Sequence, residues 1–167
     1  MSKRVLMVIA PNDFRDEEFF ETKGVLEDSG IEITVVNSTG QPSKSMFGKI
    51  VTPDKNFYDA ESEEYDAIVF VGGQGTHAYF DNKRALNLAK EFNESGKIVA
   101  AICIAPVILA RAGLLSGKKA TVFPSGRNEI TAVGTYTGSK VEKDGNIITG
   151  NGPEAAVEFG KAIAEAL

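Results

Sequence analysis

"KIVAAICIAPVILARAGLL", residues 97–115, changes character at its middle. The first six residues form a short apolar run that does not alternate with polar ones, which predicts a strand buried on both faces. "APVILARAGLL" then predicts a helix, with Pro106 in the first turn, where a missing N–H costs nothing. The single cysteine, Cys103, sits at the junction. Outward from this stretch the same order recurs. "RVLMVIA" (Arg4–Ala10) predicts a strand stopped by Pro11 and Asn12, and "DEEFFETKGVLEDSG" a helix with acids in its first turn and Gly30 at its end. "IEITVVN" follows as a second strand, then a polar stretch with a small hairpin around "KIVT", the apolar strand "YDAIVFVGG" and the helix "NKRALNLAKEFNESG". Beyond residue 115 come a short strand near "KATVF", a hairpin "KVEKDGNIITG" turning at Asp144 and Gly145, and a helix from Glu154 to Leu167. Strands and helices that alternate in this way predict an α/β fold, a mostly parallel central sheet between two helix layers.

With 167 residues, 43% of them hydrophobic, the chain suits one domain over residues 1–167. The net charge of -5 is spread among mixed signs, so no basic face points to nucleic acid and no basic amphipathic segment points to a membrane surface. The first apolar run, Val5 to Ala10, is far short of the roughly 20 residues a spanning helix needs, and a cytoplasmic location is expected. One cysteine cannot form an intrachain disulfide, and the spaced cysteines of a zinc or iron–sulfur site are absent, so no metal or other cofactor is expected.

In a parallel sheet the loops at the carboxyl ends of the strands share one edge, where ligands bind. Three loops meet there: "PNDFRDEE", "GGQGTHAYF" and "CIAP". Cys103 is either a small buried hydrophobe or a nucleophile presented at the turn, and its place at a helix start favours the second, with a lowered thiol pKa. On the first helix Glu18 shares a face with Thr22, Val25, Leu26 and Ser29, whereas Glu17, Glu21, Gly24 and Asp28 form a polar stripe. Glu18 is therefore the acid expected to turn inward, its pKa raised by burial so that a protonated carboxyl donates a hydrogen bond to sulfur. Gly73, Gly75 and Ala78 fit the spacing of a dinucleotide-binding turn, but the strand that follows ends in Cys103 where that motif needs an acid. The glycines are better read as letting the Gly73 N–H approach the thiol and form an anion pocket with the N–H of Ile104. His77 is a surface-loop residue on the commoner reading and a base for Cys103 on the other.

"AAICIAP", "YDAIVFVGG", "DEEFFETKGVLEDSGIEITVV" and "VEKDGNIITGNGPEAAVEF" together resemble the ThiJ/PfpI superfamily, which includes PfpI-type intracellular proteases and the parkinsonism-associated deglycase. The resemblance implies a flavodoxin-like sandwich, a homodimer and a nucleophilic or redox-active Cys103. It also implies an acid at Glu18, paired glycines at Gly72 and Gly73, and an oxyanion pocket from the Gly73 and Ile104 amides. Two departures stand out. Where PfpI-type proteases carry histidine after the cysteine this chain has Ile104, and where the deglycase branch has histidine before a proline it has Phe123 before Pro124. Both argue against peptide hydrolysis and leave proton transfer to Glu18, to His77 or to a partner subunit. Two functions are expected from this. One is glyoxalase- or deglycase-like action on a small reactive carbonyl; the other is a redox sensor or chaperone in which an oxidant converts Cys103 to sulfinate.

Overall fold

In the computed structural model, which describes residues 2–167, the apolar runs pair into one seven-stranded sheet. Its strands are β1 (Arg4–Val8), β2 (Glu32–Asn37), β3 (Lys55–Asn56), β4 (Ala67–Phe70), β5 (Ile98–Ile102), β6 (Val141–Asp144) and β7 (Ile147–Gly150), in the order β6-β7-β5-β4-β1-β2-β3. Every neighbouring pair is parallel except β6 with β7. Alternate residues of the strands feed different cores: Leu6 and Val8 pack on one face, Val5 and Met7 on the other. That double burial is why these strands show no polar alternation.

Helices α1 (Asp16–Asp28) and α5 (Ala156–Ala166) pack together over the Val5 face. The opposite face is covered by α2 (Lys83–Glu94) and α3 (Pro106–Arg111), with α4 (Arg127–Thr131) against α3. The result is the expected flavodoxin-like three-layer sandwich with a mostly parallel sheet. On α1 the inward stripe is Glu18, Phe19, Thr22 and Leu26; Val25 is half-buried and Ser29 is exposed where the helix closes.

Some details differ from the expected layout. The β6–β7 hairpin turns at Gly145 and Asn146, because Asp144 stays in the strand opposite Ile147 and its carboxylate accepts the Lys119 N–H at 2.8 Å. Gly145 has φ +61°, the left-handed conformation that a two-residue turn of this kind demands. The hairpin around "KIVT" is present as Ser43–Ser45 against Ile50–Val51, and Asn12–Phe14 joins it as a third strand. Lys119–Ala120 pairs with Thr135–Tyr136 in a separate two-stranded sheet. No helix among the described residues is long and apolar enough to cross a membrane.

Candidate functional site

Four strands end at one edge, and the loops leaving them build the site. β1 leads into Arg15 and α1, β4 into Gly72 and Gly73, β5 into Cys103, and β7 into Asn151–Pro153. The first three were expected; the loop after β7 is an addition. Cys103 has φ +64°, and with Asp13 it is one of two non-glycine residues with positive φ among those described. A side chain in this conformation costs about 1–2 kcal/mol, so the surroundings must hold it. They do so through both of its backbone groups: the Cys103 N–H donates to the Gly150 carbonyl at 2.9 Å, and the Phe123 N–H donates to the Cys103 carbonyl at 2.7 Å. The thiol is thereby fixed at the floor of a cleft, with the residue only 8% exposed.

Glu18 is fully buried, and neither of its carboxyl oxygens has a hydrogen-bond partner. Burial pushes its pKa up to about 7, opposed by the nearby Cys103 thiol, the Arg15 charge and the Gly72 N–H. Gly72 stands between acid and thiol. A β-carbon there would collide with Glu18 Oε1 and stand 2.6 Å from Cys103 Cβ, so only glycine lets the two groups meet. Gly73, at φ +119°, lies against the backbone of Asp13 and Arg15, so close that a β-carbon would stand 2.5 Å from the Arg15 nitrogen.

The expected lowering of the thiol pKa is not found. Burial pushes the Cys103 thiol up, a charged Glu18 pushes it further, and the Ile104 and Gly73 amides only partly oppose this. The physical reason is desolvation: α3 has six residues and begins at Pro106, too short and too distant a dipole to outweigh enclosure beside an acid. Acid and thiol therefore titrate as a pair. One proton leaves near neutrality and the second is held to far higher pH, so the floor carries a single negative charge.

Above the thiol is a cleft of about 360 Å³, within the range of small-molecule sites. Gly73, Cys103 and Ile104 line it together, and His77 borders it. The histidine is exposed on the rim, its Nδ1 2.8 Å from the Gln74 carbonyl and its ring 4.7 Å from that of Phe80. It is a surface residue and a cleft residue at once. Arg15, Met46, Gln74, Phe123, Ser125 and Pro153 complete the lining. Arg15 stands among the acids of "PNDFRDEE" with no periodic signal of its own to mark it as a cleft residue. Its N–H donates to the Gly72 carbonyl at 2.9 Å, while its Nε and Nη2 donate to Glu17 at 3.0 and 2.8 Å. That bond holds the Glu17 carboxyl below its ordinary value and separates the roles of the adjacent acids. Among the described residues no group of three or more His, Cys, Asp or Glu is placed to hold a metal.

Comparison with known proteins adds the following. The DJ-1/PfpI family model matches residues 3–166. An uncharacterised protein of Methanocaldococcus jannaschii is 45% identical over 98% of this chain and 82% of its own length. A deglycase of Pyrococcus horikoshii is 29% identical over 89% of this chain and 90% of its own. A glutathione-independent glyoxalase of Caenorhabditis elegans is 28% identical over 99% and 89%. Among solved structures, a ThiJ/PfpI domain protein from Brachyspira murdochii superposes with a TM-score of 0.96 at 31% identity, covering 98% of this chain and 95% of that one. Drosophila melanogaster DJ-1beta superposes at 0.93 with 35% identity, covering 100% and 91%.

Proposed function

The chain belongs to the DJ-1/PfpI family, and on that premise we propose that it is a cytoplasmic, homodimeric stress-response protein that removes reactive carbonyls through Cys103. The observation that carries this reading is the strained Cys103 at the cleft floor beside a buried, unpartnered Glu18. The relatives named for deglycase and glyoxalase activity support the choice of substrate class. In the mechanism, Cys103 sulfur adds to an aldehyde carbon and the carbonyl π bond becomes an oxyanion, which the Gly73 and Ile104 N–H groups stabilise. Glu18 takes up the thiol proton and returns it to that oxygen, a transfer suited to an acid whose pKa lies near 7. For an α-oxo aldehyde, Glu18 then moves a proton from the sulfur-bearing carbon to the neighbouring carbonyl carbon by way of an enediol, while the hydroxyl proton on the sulfur-bearing carbon passes to the neighbour's oxygen, which leaves a 2-hydroxy thioester. Water hydrolyses the resulting thioester to a 2-hydroxy acid and frees the thiol.

Steady-state assay with methylglyoxal, read as lactate formed, tests this. Wild type forms lactate slowly and Cys103→Ala forms none; lactate formation that survives Cys103→Ala overturns the proposal. A second reading is favoured by Ile104 and Phe123 standing where the resemblance to the two branches implies histidine. Without a fixed base a covalent adduct resolves poorly, and Cys103 instead serves as an oxidant sensor whose sulfinate is held by the same amides and a protonated Glu18. Mass spectrometry after peroxide treatment then shows two added oxygens on Cys103, lost in Cys103→Ala, without glyoxal turnover. On either reading peptide hydrolysis is absent. If His77 supplies the base, His77→Ala abolishes turnover and leaves Cys103 alkylation intact.

A further inference from the structure

We infer that the cleft selects carbonyl compounds bearing an apolar substituent over small polar ones, with Phe123 and Met46 as the residues that set this preference. The inference deepens the carbonyl reading and rests on it. Large apolar side chains left in water mark a surface that something covers. Phe123 is 41% exposed and Met46 37% exposed, and both line the cleft whose floor is Cys103. They arrive from different elements. Phe123 follows the short strand Lys119–Ala120 and opens the turn Pro124–Gly126, while Met46 caps the small hairpin, its N–H donating to the Phe14 carbonyl at 2.9 Å.

Neither side chain is adrift. The Phe123 N–H donates to the carbonyl of the nucleophile itself at 2.7 Å, which ties the two backbones together. Its ring lies over Gly152, where an added β-carbon would stand 3.5 Å from Phe123 Cδ1, and Pro153 extends that wall. The Gly73 and Ile104 amides act on the sulfur at the floor, and of the groups lining the cleft Phe123, Met46 and Pro153 are apolar while Arg15, Gln74, His77 and Ser125 are polar. A ligand that places its carbonyl at those amides has the apolar surfaces of Phe123, Met46 and Pro153 within the same cleft for its substituent. Hydrogen, the substituent of glyoxal, leaves these surfaces wet; a phenyl or alkyl group covers them.

The test compares kcat/KM for glyoxal, methylglyoxal and phenylglyoxal in wild type, Phe123→Ala, Phe123→Leu and Met46→Ala. The quantity read is the phenylglyoxal-to-glyoxal ratio of each variant divided by that of wild type, which cancels the intrinsic reactivity of the aldehydes. Losing one apolar wall lowers this ratio about tenfold, the scale of an apolar group gained or lost in a pocket. Phe123→Leu restores part of it, and Met46→Ala lowers it as well. In parallel, Cys103 alkylation by iodoacetamide and by N-benzyliodoacetamide is followed by mass spectrometry in the same proteins. A benzyl preference that falls in Phe123→Ala supports the wall even if no aldehyde is turned over, an outcome that defeats the carbonyl reading alone. Turnover with both ratios unchanged in Phe123→Ala and Met46→Ala overturns the inference and leaves the carbonyl reading standing.

Discussion

A carboxyl buried without a hydrogen-bond partner is a costly group, and Glu18 is such a group. Its pKa rises from 4.5 to about 7 on burial. Between those values the folded state keeps a proton that the unfolded chain has released, so stability falls as pH rises through this window and is level above it. The whole loss is about 3 kcal/mol by linkage. Glu18→Gln cannot ionise. Its melting temperature relative to wild type therefore increases from pH 4.5 to pH 8, and a difference that stays flat across thermal melts in this range refutes the titration. Cys103 alkylation gives a second readout: the wild-type rate has an inflection near pH 7 that Glu18→Gln loses and Glu17→Gln keeps, since Glu17 is engaged by Arg15. Gly72→Ala places a methyl group against Glu18 and 2.6 Å from Cys103 Cβ, a collision of backbone-borne atoms. It should destabilise by about 1–3 kcal/mol in urea titration and change the alkylation profile; a stable variant with unaltered alkylation would show that acid and thiol are not tightly apposed.

The small hairpin depends on one acid of α1. Asp16, buried at the first position of that helix, accepts the Ser45 hydroxyl at 2.7 Å and the Phe47 N–H at 3.2 Å. Asp16→Ala leaves both donors unmatched and should cost about 2–3 kcal/mol, with proteolytic cleavage appearing first between residues 45 and 50. Cleavage no faster than in wild type would mean that the hairpin is held by its own ladder. This tie also shows where sequence reasoning stops. The unbroken apolar run before Cys103 and the step of three and four from Glu18 to Leu26 are local signals, so strand, helix and the inward turn of Glu18 are legible. α4, with five residues, and the strand Thr135–Tyr136 are too short to show a period. Met46, Ser125 and Pro153 reach the cleft only through tertiary placement. The thiol's raised pKa was hidden for the same reason, because a helix start can be read in a sequence and the degree of enclosure cannot.

At the scale of the whole molecule, two apolar side chains of the hairpin region stand largely in water. Phe47 is 66% exposed and Ile50 63%, beside Phe20 on α1, whose ring lies 5.0 Å from the Lys49 ammonium. The proposed homodimer gives such a surface a use. Light scattering should return twice the chain mass of 17.8 kDa, and Phe47→Asp combined with Ile50→Asp should halve it. A monomer in the unmutated protein refutes the assembly. The strand order has a separate consequence, in time. β5, β4 and β1 are adjacent in the sheet yet come from distant parts of the chain, and between them they deliver Cys103, Gly72 and the loop that leads to Glu18. Parallel neighbours cannot pair until the intervening chain has closed its loops, which is slow. During refolding from denaturant, then, the strand-to-helix turn at Cys103 matures among the last events, and the reactivity of this single thiol is a clock for the final registration of the sheet.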